Sequence, residues 1–282
     1  MENKKQRNLF KIIFNYILVL IISIALIIYS LMNIFGKTIF SKDYILAKLK
    51  ESNYYTSLVA YVNDSFENYI HQSGLDTDVL NDIVTESKIK EDTDIILSNI
   101  YDGTSKEIST DEIREKLISN ISDSIDGRSF TKTEEKAINS FADTICSTYK
   151  DALSHTKYEQ KIHSLYEEDL NYKALANKIC LIATGISAIL MIIFNLKEKH
   201  IILEKFGIAV LATGLCLAVL YVYITTQINI SGITILSDMI SKVVVSIISS
   251  ILKDVLQTGF YLGMIGFVGC IIGSIFGLKE EE

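Results

Sequence analysis

"TGFYLGMIGFVGCIIGSIFGL", residues 258–278, holds six of the chain's fourteen glycines in a run without a charge. In a helix surrounded by water, each glycine costs about 1 kcal/mol relative to alanine. Lipid changes the balance. Hydrocarbon supplies no hydrophobic drive to bring helices together, so association depends on close backbone approach, which small residues three and four positions apart permit. Gly259, Gly263, Gly266, Cys270, Gly273 and Gly277 follow at intervals of 4, 3, 4, 3 and 4 and form one stripe, from which only Gly269 departs. The segment reads as a membrane-crossing helix with a helix-packing face. That face suits packing within this chain, a seam between two copies, or a seam for a different membrane subunit.

Three more runs are long enough to cross a bilayer core, which takes about 20 mostly apolar residues. Residues 12–35, 179–196 and 206–226 carry no charge, and the second run extends back to residue 174 across Lys178 alone. The composition, 49% hydrophobic and 22% charged with a mean hydropathy of +0.30, fits a chain that is part membrane and part aqueous. The basic leader Lys4, Lys5, Arg7 and Lys11 precedes an apolar run far longer than the roughly 7–15 residues of a cleaved signal, with no A-x-A site after it. The first span is expected to remain as an anchor.

Orientation follows the positive charge close to the spans. The leader is basic, and the short link between the second and third spans contains Lys197, Lys199 and Lys205. Residues 37–172 hold 15 Lys and Arg against 26 Asp and Glu, from chain totals of 27 and 34. The expected localisation is the plasma membrane, with both termini cytoplasmic and the acidic segment 37–172 outside.

The expected fold is an all-α membrane protein: four transmembrane helices with a helical-bundle extracytoplasmic domain inserted between the first and second. In order, the segments are a cytoplasmic leader 1–11, span 12–35, outer domain 37–172, span 174–196, cytoplasmic link 197–205, span 206–226, outer amphipathic helix 227–256, span 257–278 and tail 279–282. Within the outer domain, apolar periodicity predicts a helix from Ser41 to about Gln72, closed by Gly74. Short helices are expected at 77–88 and 91–101. Ser109 with Glu112, and Thr131 with Glu134, have the spacing of capping boxes; the first opens a helix to Gly127 and the second one that continues unbroken into the second span. Paired apolar residues every four positions from Met239 to Leu256 predict a helix that bends into the fourth span.

The insertion of an outer helical domain between two spans resembles, in topology alone, the sensor bundles of bacterial chemoreceptors and histidine kinases. Those receptors end in large cytoplasmic signalling domains, whereas this chain is expected to offer the cytoplasm only the leader, the link and the tail. Four spans, inward termini and a large outer domain after the first span are also similar in topology to the FtsX and MacB type of ABC permease subunit. That second resemblance implies strands in the outer domain.

Little in the chain has the spacing of catalytic chemistry. "HTKYEQKIH" aligns His155, Glu159 and His163 on one helical face, but eight residues of helix separate the two histidines by about 12 Å, too far for one metal ion. "DTDVLND" at 76–82 and "EDTD" at 91–94 lack the glycine and distal glutamate of a calcium loop and are expected to serve helix N-termini. "GKT" at 36–38 has leucine where a phosphate loop needs glycine. Cys180, Cys216 and Cys270 lie in spans, leaving Cys146 alone in the outer domain as a small buried residue or a bridge between copies. The expectation is therefore no catalytic residue, metal or cofactor. The acidic outer segment excludes nucleic acid as a partner. The functional expectation is a non-enzymatic multi-pass membrane protein whose outer helical domain senses, binds or scaffolds. Its partners are the lipid bilayer and, through the fourth span, a membrane protein or a second copy; the alternative is a subunit of a transport machine.

Overall fold

The computed structural model of the protein describes residues 2–73, 75–124, 129–153, 156–234 and 238–280, and all their side chains except those of 2–8, 72–73, 156–161 and 279–280. Gly74, Gly127 and His155 lie outside the described residues. Every regular element among those described is helical: α1 (Glu2–Lys37), α2 (Lys42–Glu51), α3 (Tyr54–Ser73), α4 (Glu86–Tyr101), α5 (Asp111–Ser124), α6 (Lys132–Leu153), α7 (Thr156–Phe194), α8 (Lys199–Gln227) and α9 (Asp238–Glu280), with 3-10 turns at Thr77–Leu80 and Ile230–Gly232. Four helices are long and apolar enough to cross a membrane, over Leu9–Lys37, Ile162–Phe194, Lys199–Gln227 and Asp238–Leu278. The chain divides into two compact units, one of Met1–Phe40, Glu168–Ile233 and Val244–Glu282, the other of Ser41–Glu167 and Thr234–Val243.

In the first unit α1 is central. Leu18, Val19 and Ile22 of α1 bury against Met191 of α7 and Ala209 of α8. Further along, Ile34 packs with Leu217 of α8 and Val255 of α9. The N-terminal part of α1 meets the end of α7 through the Phe14 and Phe194 rings, 4.6 Å apart, and the link to α8 through an ion pair of Lys11 with Glu198 at 2.7 Å. The spans thus alternate in direction, and the ends nearest both termini share one end of the unit. Around this core, Leu20, Ile182, Val219 and Ile265 turn outward, as do many other large apolar side chains. Such a surface is costly in water and is the expected solvent-facing surface in hydrocarbon.

The glycine-rich face of α9 lies against α8. A Cβ at Gly266 would collide with the Leu211 nitrogen and reach within 2.8 Å of the Gly207 carbonyl oxygen; one at Gly273 would stand 2.6 Å from the Glu204 nitrogen. From the α8 side, a Cβ at Gly207 would lie 2.6 Å from the Cys270 nitrogen, and one at Gly214 would meet the backbone of Gly259 and Gly263. Gly277 faces the His200 ring, and Gly259 sits against Gly214 and Leu217. Gly269, off the stripe by spacing, also faces Gly207, whereas a Cβ at Gly263 would point into open space. Helices meeting backbone to backbone cannot keep one strict row in contact along their whole length.

The second unit buries residues at helical intervals. Leu58, Val62, Phe66 and Ile70 of α3, Ile113, Leu117 and Ile121 of α5, and Ala142, Ile145 and Tyr149 of α6 enclose one apolar interior with Ile89 of α4. Thr131 and Glu134 form the reciprocal capping pair, with the Thr131 amide donating to Glu134 at 2.8 Å and the Glu134 amide to the Thr131 hydroxyl at 3.3 Å. At the other expected box, Ser109 bonds Asp111 rather than Glu112.

Several expected boundaries differ. The helix expected over 41–72 breaks between α2 and α3, where Asn53 adopts φ 53° and the Ser52 and Asn53 amides close on Lys48 and Lys50 carbonyls. Asparagine tolerates this left-handed turn, which lets Leu49 and Tyr55 both be buried. Instead of helices at 77–88 and 91–101, a 3-10 turn is followed by Thr85 capping one helix over Glu86–Tyr101. Helix α6 ends at Leu153 and α7 begins at Thr156; the expected unbroken continuation between them falls on residues 154–155, outside the described residues. Tyr149 contacts Asp92 and His163 contacts Ile100. Conversely, α9 runs unbroken through the expected bend near residue 256, since nothing before Gly259 interrupts it and the glycines beyond pack on α8.

Gly266→Ala is expected to lower the thermal midpoint of the full chain in detergent, by a cost of about 1–3 kcal/mol for forcing backbones apart. Gly263→Ala, which meets open space, should leave the midpoint unchanged. Equal midpoints for the two variants would contradict the seam.

Candidate functional site

Buried polar side chains in the first unit bond one another and the backbone carbonyls of the spans. Asn15 of α1 donates to Asn195 at 3.1 Å, and Asn195 donates back to Asn15 at 2.9 Å and to the Met191 carbonyl at 2.7 Å. The Ser23 hydroxyl lies 3.0 Å from the Ala209 carbonyl oxygen, and the Thr213 hydroxyl 2.9 Å from the same atom. All five polar contacts fasten spans to themselves or to each other. In lipid such bonds average about 0.6 kcal/mol and reach about 1.7 kcal/mol.

The second unit has a different kind of polar centre. Asp92, wholly buried on α4, receives the Tyr149 hydroxyl at 2.5 Å and the Lys88 ammonium at 2.8 Å. Burial and the bond to Asp92 push the Tyr149 phenol well above its ordinary range. This is an internal brace between α4 and α6. The acidic stretch 91–94 therefore lies in the middle of α4 rather than at a helix start, correcting the sequence expectation, while Asp76 does cap the 3-10 turn through the Asp78 amide. The signal available was Asp92 itself, a carboxylate three residues after Ile89 on the apolar stripe of α4.

Next to this brace, α2, the start of α3 and α4 enclose an open groove of about 470 Å³. Leu46, Ala47 and the buried Tyr55 form its floor, and Lys50, Lys90, Glu91 and Asp94 stand on its rim. Alongside it, Lys42 of α2 bonds Asp94 at 3.0 Å and Ser98 at 2.7 Å and pairs with Asp102 at 3.6 Å. Burial, and then the Asp94 charge, raise the pKa of Tyr55. The groove combines an apolar floor with charges of both signs, which suits a short peptide segment or an amphipathic small molecule.

Of the expected polar face, His155 is outside the described residues and Glu159 is among the undescribed side chains. His163 is engaged structurally: its Nδ1 lies 2.8 Å from the Ile100 carbonyl oxygen and so carries the hydrogen. Gly103 beside it has φ +66°, and a Cβ there would stand 2.7 Å from His163 Nε2, so both backbone and ring require glycine. Burial, with Tyr166 alongside, pushes the Tyr101 phenol up to about 12. Asn99 organises the loop after α4, accepting from Thr104 at 2.7 Å and the Lys106 amide at 3.0 Å. Cys146 is buried, its thiol 3.7 Å from the Thr110 carbonyl oxygen. No cluster of metal-ligating side chains occurs among the described residues. No protein-family model, curated protein or solved structure matches the chain.

Lys88→Met, which leaves the buried carboxylate without its cation, should destabilise the second unit by about 3–5 kcal/mol. Tyr149→Phe should cost about 1–3 kcal/mol. Hydrogen exchange of the α4 and α6 amides reads both; unchanged protection would contradict the brace. Because the folded state raises the Tyr149 pKa above its unfolded value of 10, this stabilisation is full below pH 10 and lost as pH rises above it. Tyrosinate absorbance should therefore register Tyr149 only as the unit opens.

Proposed function

We propose that this is a non-enzymatic membrane protein whose helical segment 37–172 lies outside the cell, binds a ligand in the groove between α2 and α4, and acts through a membrane partner. The membrane architecture, with four long apolar helices, supplies the frame. The observation that carries the reading is the contrast between the units. In the first, the buried Asn15, Asn195, Ser23 and Thr213 bond within and between spans, which favours a fixed scaffold over a conduit. In the second, a braced core stands beside an open groove whose rim carries charge of both signs.

The permease resemblance implies strands in the outer domain, and the described residues of 41–167 form helices and a 3-10 turn. The charge balance favours the cytoplasm for the leader and for the link at 197–205, by the positive-inside rule.

Two measurements test the proposal. A cysteine replacing Lys90 should react with a membrane-impermeant maleimide in intact cells, and one replacing Lys199 only after permeabilisation; the reverse pattern contradicts the topology. Purification from native membrane should recover the chain without a cytoplasmic ATPase, and an ATPase retained in stoichiometric amount would assign the chain to a transport machine.

A further inference from the structure

Between the end of α1 and the middle of α9, within the first unit, lies a cleft of about 600 Å³, inside the size range of small-molecule sites. Its chemistry changes with depth. At the mouth stand Lys37, the last residue of α1, and Asp254, the last charge on α9 before the uncharged run 255–278. One turn deeper come the carboxamides of Asn33 and Gln257, and one turn deeper again the hydroxyls of Tyr29 and Tyr261. Beyond these, the outward faces of both helices are apolar, with Ile24 and Ile28 on α1 and Met264 and Ile265 on α9.

Lys37 and Asp254 line the same cleft, yet among the described residues neither forms an ion pair. Opposite charges at the edge of hydrocarbon ordinarily pair or reach for water. Unpaired over a shared cavity, they complement a ligand that carries both an anionic and a cationic group. The carboxamides retain donors: Asn33 uses one amide hydrogen on the Tyr29 carbonyl at 2.8 Å, and Gln257 lies 3.4 Å from the Tyr261 hydroxyl.

We propose that this cleft binds one glycerophospholipid with a primary-ammonium headgroup. The phosphodiester faces Lys37, and the ammonium, with three hydrogens to donate, faces Asp254. The ester carbonyls accept from Asn33 and Gln257, and the acyl chains lie along the apolar faces below. A choline headgroup has the charge without the donors, a glycerol headgroup lacks the cation, and soluble glycerophosphoethanolamine has the headgroup without the chains.

The test is native mass spectrometry of the full chain in mild detergent, titrated with phosphatidylethanolamine, phosphatidylcholine, phosphatidylglycerol or soluble glycerophosphoethanolamine. One phosphatidylethanolamine should bind at least about tenfold more tightly than phosphatidylcholine, as expected when hydrogen bonds to a charged group are lost. Lys37→Gln and Asp254→Asn should each weaken it by about the same factor while leaving the thermal midpoint in lipid-free detergent unchanged. Equal binding of the choline and ethanolamine lipids by the unaltered chain, a comparison that needs no variant, overturns the proposal. So do tighter phosphatidylglycerol binding, variants that bind as the unaltered chain does, or full displacement by equimolar soluble headgroup, which would mark a water-borne ligand instead.

Discussion

Close approach between α8 and α9 is the constraint on which the first unit depends. In lipid, buried apolar area does not drive helices together, so contact relies on packing at distances only glycine allows. Gly207, Gly214, Gly266 and Gly273 leave no room for a Cβ against the facing backbone. With α9 fixed on α8, Val255 reaches the cluster around Ile34 and Leu217, which joins both helices to α1. Helix α7 then attaches at the other end through the Phe14–Phe194 ring contact and the Asn15–Asn195 pair. Without the glycine contact, the long rod of α9 would have little to hold it, because most of its span residues face outward.

The second unit is held together by a buried apolar core among its helices. Leu, Val, Phe and Ile at intervals of four enclose its interior, and one carboxylate, Asp92, is taken into it. That carboxylate is tolerated because Lys88 and Tyr149 both reach it. A buried charge of this kind is weak evidence for added stability, since its desolvation offsets much of its attraction to a partner. It does fix the register of α4 against α6, and so the position of the groove that α4 shares with α2 and α3.

Much of the membrane architecture was legible in the sequence because uncharged runs of about 20 residues have few alternatives to spanning helices. The 4, 3, 4, 3, 4 spacing marked a packing face on α9; it left open what that face meets, and the facing glycines of α8 are only a thin strip when read alone. Boundaries in the second unit were less legible. Asn53 and Thr85 punctuate the chain without glycine or proline, and a left-handed asparagine looks like any other asparagine in sequence. Tyr149 lies 57 positions from Asp92, a pairing no local pattern reveals. His163 was noticed for its spacing from His155, but its bond to the Ile100 carbonyl came from tertiary packing.

The packing of the first unit follows from hydrocarbon being the solvent of the four long helices. Spin labels replacing Leu20, Ile182, Val219 and Ile265, one outward-facing residue on each helix, measure this directly in a reconstituted bilayer through collisions with oxygen, which concentrates in lipid, and with a water-soluble nickel chelate, which does not. All four sites should be accessible to oxygen and shielded from the chelate. Ready access of the chelate to any one of them would show that its helix does not cross the membrane.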